Sequence, residues 1–249
     1  MNILIPIAGI PTEQGESQYI RGLYEIEKKI VLEHILESLT QLPDPHFIAV
    51  IRREEVRALH LDDTLRLLVP DIRIVVSEGS TQGAACSCLL AVDYIDNEQP
   101  LLISGSDQII THNWGNVIRE FERNAYDAGV VYFEAVHPKW SYVRLNEGGL
   151  VVEAAEKHPI SRHATTGQYY FRHGADFVQA AQEMIRKEAN VNGQYYVCPA
   201  FNELVLHQKR IGAYPIDRNE YFSLKDQKGM DAYESYLQKE AQHVHSQIR

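Results

Sequence analysis

A chain of 249 residues with 45% apolar and 23% charged side chains is long enough to close a substantial core, and its composition excludes disorder, collagen and coiled coil. Its 24 basic and 34 acidic residues give a net charge of −10, and no run of Lys/Arg exceeds two, so no nucleic-acid footprint is expected. A small anionic ligand stays open, because it needs only a few placed cations and backbone N–H groups.

The pattern predicts a buried strand at 3–7 that breaks at Ala8-Gly9 into a polar stretch running to about Gln18. Leu32, Ile35, Leu36 and Leu39 recur at helical spacing, Pro43 and Pro45 stop that helix, and 47–51 forms the next strand. A polar helix, a strand at 72–76, a helix carrying Ala85, Cys88, Leu89 and Val92, and a strand at 101–103 continue the alternation. Beyond a helix through Trp114, Val117, Ile118 and Phe121, strands at 130–135, 142–145, 151–155 and 166–171 make the second half mixed and partly antiparallel. Helices at 177–185 and 199–206, a strand at 212–216 and a polar helix from about Asp231 complete the count.

No repeat or linker divides the chain, so residues 1–249 read as a single domain around a three-layer α/β sheet. Ligands of such sheets sit beyond the carboxyl ends of the parallel strands, which directs attention to the loops at 8–21, 77–83 and 104–108. The apolar runs fall far short of the ~18 to 20 residues of a membrane helix. No secretory signal is visible either, and the cytoplasm is the expected compartment. Cys86, Cys88 and Cys198 fit neither a disulfide framework nor zinc spacing and read as reduced core thiols. The histidines form no i,i+4 metal pair.

Three motifs carry chemistry. In Leu101-Leu102-Ile103-Ser104-Gly105-Ser106-Asp107-Gln108 a carboxylate follows a buried strand across small residues, an arrangement that suits Mg²⁺ held against phosphates as well as a plain turn. Glu78-Gly79-Ser80-Thr81-Gln82-Gly83-Ala84-Ala85 joins strand to helix through small residues, and a flat base can approach such a backbone. Glu153 to Pro159 ends a strand with Glu156 beside Lys157; in continued strand geometry only one of them would face a cleft.

The order of Ala8-Gly9, STQGAACSCLLA from Ser80, PLLISGSDQ from Pro100, HPKWSY from His137, EAAEKHPIS from Glu153, ATTGQYYF from Ala164 and NGQYYVCPAFNEL from Asn192 resembles the sugar-1-phosphate nucleotidyltransferase family. The likeness is strongest to its branch in bacterial capsule and surface-polysaccharide clusters. It implies a Rossmann-like, GT-A-like fold with a mixed central sheet, and exchange of a nucleotidyl group between an NTP and a phosphorylated sugar or small alcohol with Mg²⁺. By motif, Asp107 would be the metal ligand, with Asn202 as a weak second. Ala8, Gly9, Gln82 and Gly83 would meet the nucleotide. Glu156 would hydrogen-bond the acceptor, Lys157 would meet its phosphate and Gly167 would floor its pocket. The partners are then the two small molecules, and a homo-oligomer is compatible with the reading.

The first loop departs from the family. Its Gly-rich run ordinarily carries an Arg and is followed by a Pro-Lys-Pro-Leu type segment, whereas here 8–16 holds no Arg and Tyr19-Ile20-Arg21-Gly22-Leu23 stands for the lysine segment. Arg21 is the one phosphate cation left there, and it joins Asp107 and Lys157 as an expected catalytic group. A lapsed member that binds ligand without turnover is therefore the second reading. A metal-dependent glycosyltransferase is the third, against which stands Ser-Gly-Ser-Asp in place of a paired Asp-x-Asp.

Overall fold

A computed structural model describes residues 1–7 and 22–247, with side chains to 242. Ala8, Gly9 and Arg21 lie outside the described residues. In chain order the elements are β1 (Asn2–Pro6), the hairpin β2 (Glu25–Ile26) and β3 (Lys29–Ile30), α1 (Val31–Leu39), β4 (His46–Arg52), α2 (Arg53–Leu59), α3 (Leu61–Leu68) and β5 (Arg73–Ser77). There follow α4 (Ala84–Leu89), α5 (Val92–Ile95), β6 (Leu101–Ser104), β7 (Gln108–Ile110), α6 (Trp114–Arg123), β8 (Ala128–Glu134), β9 (Tyr142–Leu145), β10 (Val151–Ala155) and β11 (His163–Phe171). The chain ends with α7 (Gly174–Arg186), α8 (Phe201–Leu206), β12 (Ile211–Pro215), β13 (Tyr221–Ser223) and α9 (Gln227–Gln247).

Period-two alternation explains the layering. Along β1 and at Ile7 just beyond it, Ile3, Ile5 and Ile7 face one core with Leu32, Leu36, Trp114 and Phe121, while Leu4 faces the other with Ala85, Phe177 and Phe201. β4 repeats the division, with Phe47, Ala49 and Ile51 on the first side and Ile48 and Val50 on the second. A strand apolar on both faces must be covered on both, and helices do so. Nine strands form the mixed sheet, ordered β10-β9-β11-β6-β1-β4-β5, with β8 on the other edge of β11 and β12 beside β8. β6, β1, β4 and β5 are parallel; β11 enters antiparallel to β6.

Chain order reverses between β1 and β6. From β1 the path runs outward to β4 and β5, then returns to the opposite side of β1 as β6. This is the crevice where ligands of open α/β sheets bind. β11 changes partner along one edge, pairing β9 at His163 and Ala164 and β6 from Gln168 to Phe171. Between the two stands Gly167 at φ +84°, where an added Cβ would lie 2.7 Å from Gln108 Cδ and closer still to Nε2.

Several boundaries differ from the sequence expectation for local reasons. The polar helix after β4 is two helices, parted at His60 by a left-handed φ of 50°. α9 starts at Gln227, ahead of Asp231, because Asp226 Oδ1 accepts from Gly229 N at 2.8 Å and organises the first turn. Gly229 belongs inside that turn, since a Cβ there would sit 2.9 Å from the carbonyl carbon of Ser223. β7, β13 and the β2–β3 hairpin escape a periodicity argument because each strand has two or three residues.

Candidate active site

A cavity of about 560 Å³ opens beyond the carboxyl ends of β1 and β6. Pro6 and Ile103 close its base, and Gly105 to Gln108 form the adjoining wall. The opposite wall comes from Lys139-Trp140-Ser141, Glu156-Lys157, Gly167 and Tyr169, and the rim from Gly83-Ala84, Tyr196 and Leu224-Lys225.

Asp107, Gly83, Glu156, Lys157 and Gly167 all line this one cavity. Glu156 and Lys157 both face it because β10 ends at Ala155 and the strand alternation no longer applies. Lys157 takes φ 53°, and its N–H donates to Trp140 O at 3.1 Å. Its ammonium donates to Tyr196 Oη at 2.9 Å and lies 4.9 Å from that ring's centroid. Gly83 initiates α4 at φ +111°, with Tyr195 N donating to Gln82 O at 2.7 Å and Ala85 N donating to Tyr195 O at 3.0 Å. The Gly83 backbone is thereby seated on Tyr195, a contact that leaves no room for a Cβ.

Two expected residues are placed elsewhere. Gln82 gives its carbonyl to Tyr195, but its side chain is exposed and outside the cavity lining. Asn202 is committed to the backbone of β10: Oδ1 accepts from Ala154 N at 2.8 Å and Nδ2 donates to Ala154 O at 2.9 Å. An Asn so engaged ties α8 to the sheet, and its side chain is not part of the cavity lining.

Lys139 and Lys225 were not singled out by sequence reasoning, and both line the cavity. Lys139 Nζ sits 4.5 Å from the Trp140 ring centroid, within cation–π range. Lys225 Nζ is 3.4 Å from Asp107 Oδ2, and the Asp107 carboxylate raises the affinity of that ammonium for its proton. The magnesium implied by the resemblance would meet Asp107 on this wall. Among the described residues no group of three or more His, Cys, Asp or Glu gathers that could hold an ion. Asp107 already faces an ammonium, and Mg²⁺ demands oxygen donors. Of the expected metal ligands Asp107 lies in the cavity, and Mg²⁺ ordinarily takes only one or two carboxylates and completes its shell with water and substrate phosphates.

Burial lifts the Glu156 carboxyl above its ordinary 4.5, against the opposing hydrogen bond from Ser141 Oγ and the charges of Lys157 and Lys225. A carboxyl that holds its proton more tightly when folded favours the fold most at low pH and loses that advantage as pH rises from 4.5 through its folded value. The unfolding free energy of the wild type relative to Glu156→Gln should therefore decline above pH 4.5 and then level off. Urea titrations from about pH 4 to about pH 8 read this difference; a difference constant with pH would put the carboxyl in water.

Beneath this wall the lining is core. Tyr169 Oη and Thr165 Oγ1 are 3.0 Å apart, and burial raises the Tyr169 phenol well above its ordinary value. Cys86, Cys88 and Cys198 are free thiols, with Cys88 and Cys198 fully buried and both raised by desolvation. Nucleophilic thiolate chemistry is thus not supported at either.

The sequence profile of the nucleotidyl transferase family matches residues 23–203. The chain belongs to the nucleotidyl transferase family. It is a nucleotidyltransferase by that membership, and the match spans the loop holding Asp107, the Gly83 turn and the Glu156-Lys157 strand end. Its fold is also that of solved structures: the nucleoside-diphosphate-sugar pyrophosphorylase from Vibrio cholerae RC9 superposes with a TM-score of 0.77 at 22% identity, over 95% of this chain and 99% of that one. UDP-glucose pyrophosphorylase complexed with UDP-glucose superposes with a TM-score of 0.73 at 15% identity, over 96% and 98%. No curated protein matches. No helix among the described residues of this nucleotidyltransferase is long and apolar enough to cross a membrane.

Proposed function

We propose that this chain transfers a nucleotidyl group from an NTP to a phosphorylated sugar or small alcohol, releasing pyrophosphate, in the synthesis of surface-polysaccharide precursors. The observation that carries the reading is the convergence of Gly83, Asp107, Glu156, Lys157 and Gly167 on one cavity at the β1/β6 crevice of a nucleotidyl transferase family member. The names of the two structural neighbours, which concern sugar nucleotides, support the sugar side of the proposal. The surface-polysaccharide context rests on the resemblance of the motifs.

In this reaction an oxygen of the acceptor phosphate attacks the α-phosphorus, and the bond from that phosphorus to the β-bridging oxygen breaks. The nucleophile is already anionic, so no side chain has to remove a proton. What the protein must supply is alignment and positive charge. Lys157 and Lys139 meet the acceptor phosphate on one wall. Glu156 accepts a hydrogen bond from an acceptor hydroxyl, and the base lies on Gly83 at the rim. By the resemblance alone, Ala8 and Gly9 would meet the nucleotide and Arg21 its phosphates. The magnesium is proposed to arrive as part of the substrate, on the nucleotide's own phosphates.

A thermal-shift panel of CTP, UTP, dTTP, ATP and GTP with Mg²⁺, followed by pyrophosphate release with sugar phosphates and phosphorylated polyols, tests the proposal. Stabilisation by one NTP together with pyrophosphate release is expected. Stabilisation without release from any acceptor would favour the lapsed binder, and no response to any NTP would overturn both. In the active pair, Lys157→Ala should raise the acceptor KM about ten- to hundredfold, the loss of a charge-assisted contact of roughly 1.5 to 3 kcal/mol. The nucleotide KM should change little. Equal effects on both substrates would remove Lys157 from the acceptor side.

A further inference from the structure

The chain fixes Lys225 in place from both sides. β13 pairs antiparallel with β7 so that Ser223 stands opposite Gln108, and Leu224 N donates to Asp107 O at 2.7 Å. Two residues later Asp226 organises the first turn of α9, whose Gly229 packs directly on the Ser223 carbonyl. Lys225 is left at the centre of the three-residue link 224–226, clamped between strand and helix, and its side chain lines the cavity beside Asp107. Glu156, on the opposite wall, is also within electrostatic reach of its ammonium.

We infer that Lys225 is the resident cation of this site, a covalently attached ammonium standing by Asp107, the carboxylate the cavity would otherwise offer to a divalent ion, and that it binds substrate phosphate. The inference rests on the nucleotidyltransferase reading for its phosphate ligand, but the pairing of Lys225 with Asp107 rests on geometry alone. Asp107 is mostly buried, with 13% of its side chain exposed, while 57% of the Lys225 side chain is exposed. The carboxylate is thus the fixed half of the pair, and the ammonium is the half able to turn toward a phosphate in the cavity. An ammonium is a compact point charge with three rotatable donors, suited to holding one anion while contacting another. Such an arrangement keeps the cavity positive without drawing on free metal.

The test uses Mn²⁺ alone as probe, with the full chain and no nucleotide, and reads free Mn²⁺ by electron paramagnetic resonance. Wild type should bind weakly, whereas Lys225→Asp, which places a second carboxylate beside Asp107, should bind at least about tenfold more tightly. Lys225→Met, isosteric and neutral, covers the event that the aspartate variant fails to fold; it should bind Mn²⁺ a few-fold more tightly than wild type. In parallel, pyrophosphate binding measured without metal should weaken about tenfold in Lys225→Met and persist in Lys225→Arg. Tight Mn²⁺ binding by wild type that Lys225→Met leaves unchanged would overturn the inference, as would unaltered pyrophosphate affinity in Lys225→Met. Because Mn²⁺ binding is read without turnover, a failed search for a nucleotidyl acceptor leaves this outcome intact, and the reverse also holds.

Discussion

Gly83→Ala is expected to lower stability by on the order of 2 to 6 kcal/mol and to abolish nucleotide binding in whatever folded protein remains. Two independent costs add. At φ +111° and ψ 170° the residue occupies backbone territory that is essentially reserved for glycine, a strain of about 1 to 3 kcal/mol for any other residue. The new Cβ would also lie 2.6 Å from Tyr195 N and 2.9 Å from its carbonyl carbon, with the carbonyl oxygen nearer still. Those are backbone atoms held by hydrogen bonds to Gln82 and Ala85, so relief requires moving the 195–198 segment, at the ~1 to 3 kcal/mol typical of overpacking. That segment contributes Tyr196, Val197 and Cys198 to the cavity. Urea unfolding gives the stability loss, and thermal shift with NTP gives the binding loss; a midpoint within error of wild type would mean that the strand-to-helix turn relaxes freely.

Phe201→Ala should cost about 3 to 5 kcal/mol, the range for deleting a fully buried aromatic ring. The ring is 0% exposed, stacks on Phe171 at 5.4 Å between centroids and 11° between planes, and meets Tyr169 edge-on at 5.5 Å. Tyr169 is the shared element: its far side lines the cavity. The void left behind Tyr169 would loosen that cavity wall, so the acceptor KM should rise in a variant that keeps its nucleotide affinity. Phe201→Leu, which refills most of the space, should recover both stability and KM in large part. Full loss of stability with no change in acceptor KM would show that Tyr169 is held from elsewhere.

The sequence shows some of these features plainly and hides others, for physical reasons. The parallel strands β1, β4 and β6 are legible because burial on both faces demands uninterrupted apolar runs, and Pro43 and Pro45 mark where helix gives way to strand. The loop carrying Asp107 follows from the strand that precedes it. Lys225 could not be found this way. It sits in the polar run Ser223-Leu224-Lys225-Asp226, and only the pairing of β13 with β7, 113 residues earlier for the Tyr221–Gln108 contact, brings it to the cavity. Lys139 and Ser141 lie within a motif that signalled resemblance without revealing what each side chain touches. The same gap hides what Asn202 touches. Its position in the sequence is that of a cleft residue, yet its amide closes a two-way bond to Ala154 that no one-dimensional pattern displays.

Of the chain's two tryptophans, Trp114 is sealed in the core at 2% exposure. Trp140 lies at the cavity wall with the Lys139 ammonium above its ring and the Arg218 guanidinium 6.0 Å from its centroid. The excited indole is sensitive to the field of nearby charge, and a phosphate entering the cavity alters that field beside Trp140, the tryptophan in its lining. The protein therefore carries its own optical reporter: with Trp140 on the cavity wall and Trp114 outside its lining, ligand entry should register in the emission of Trp140 with no label attached.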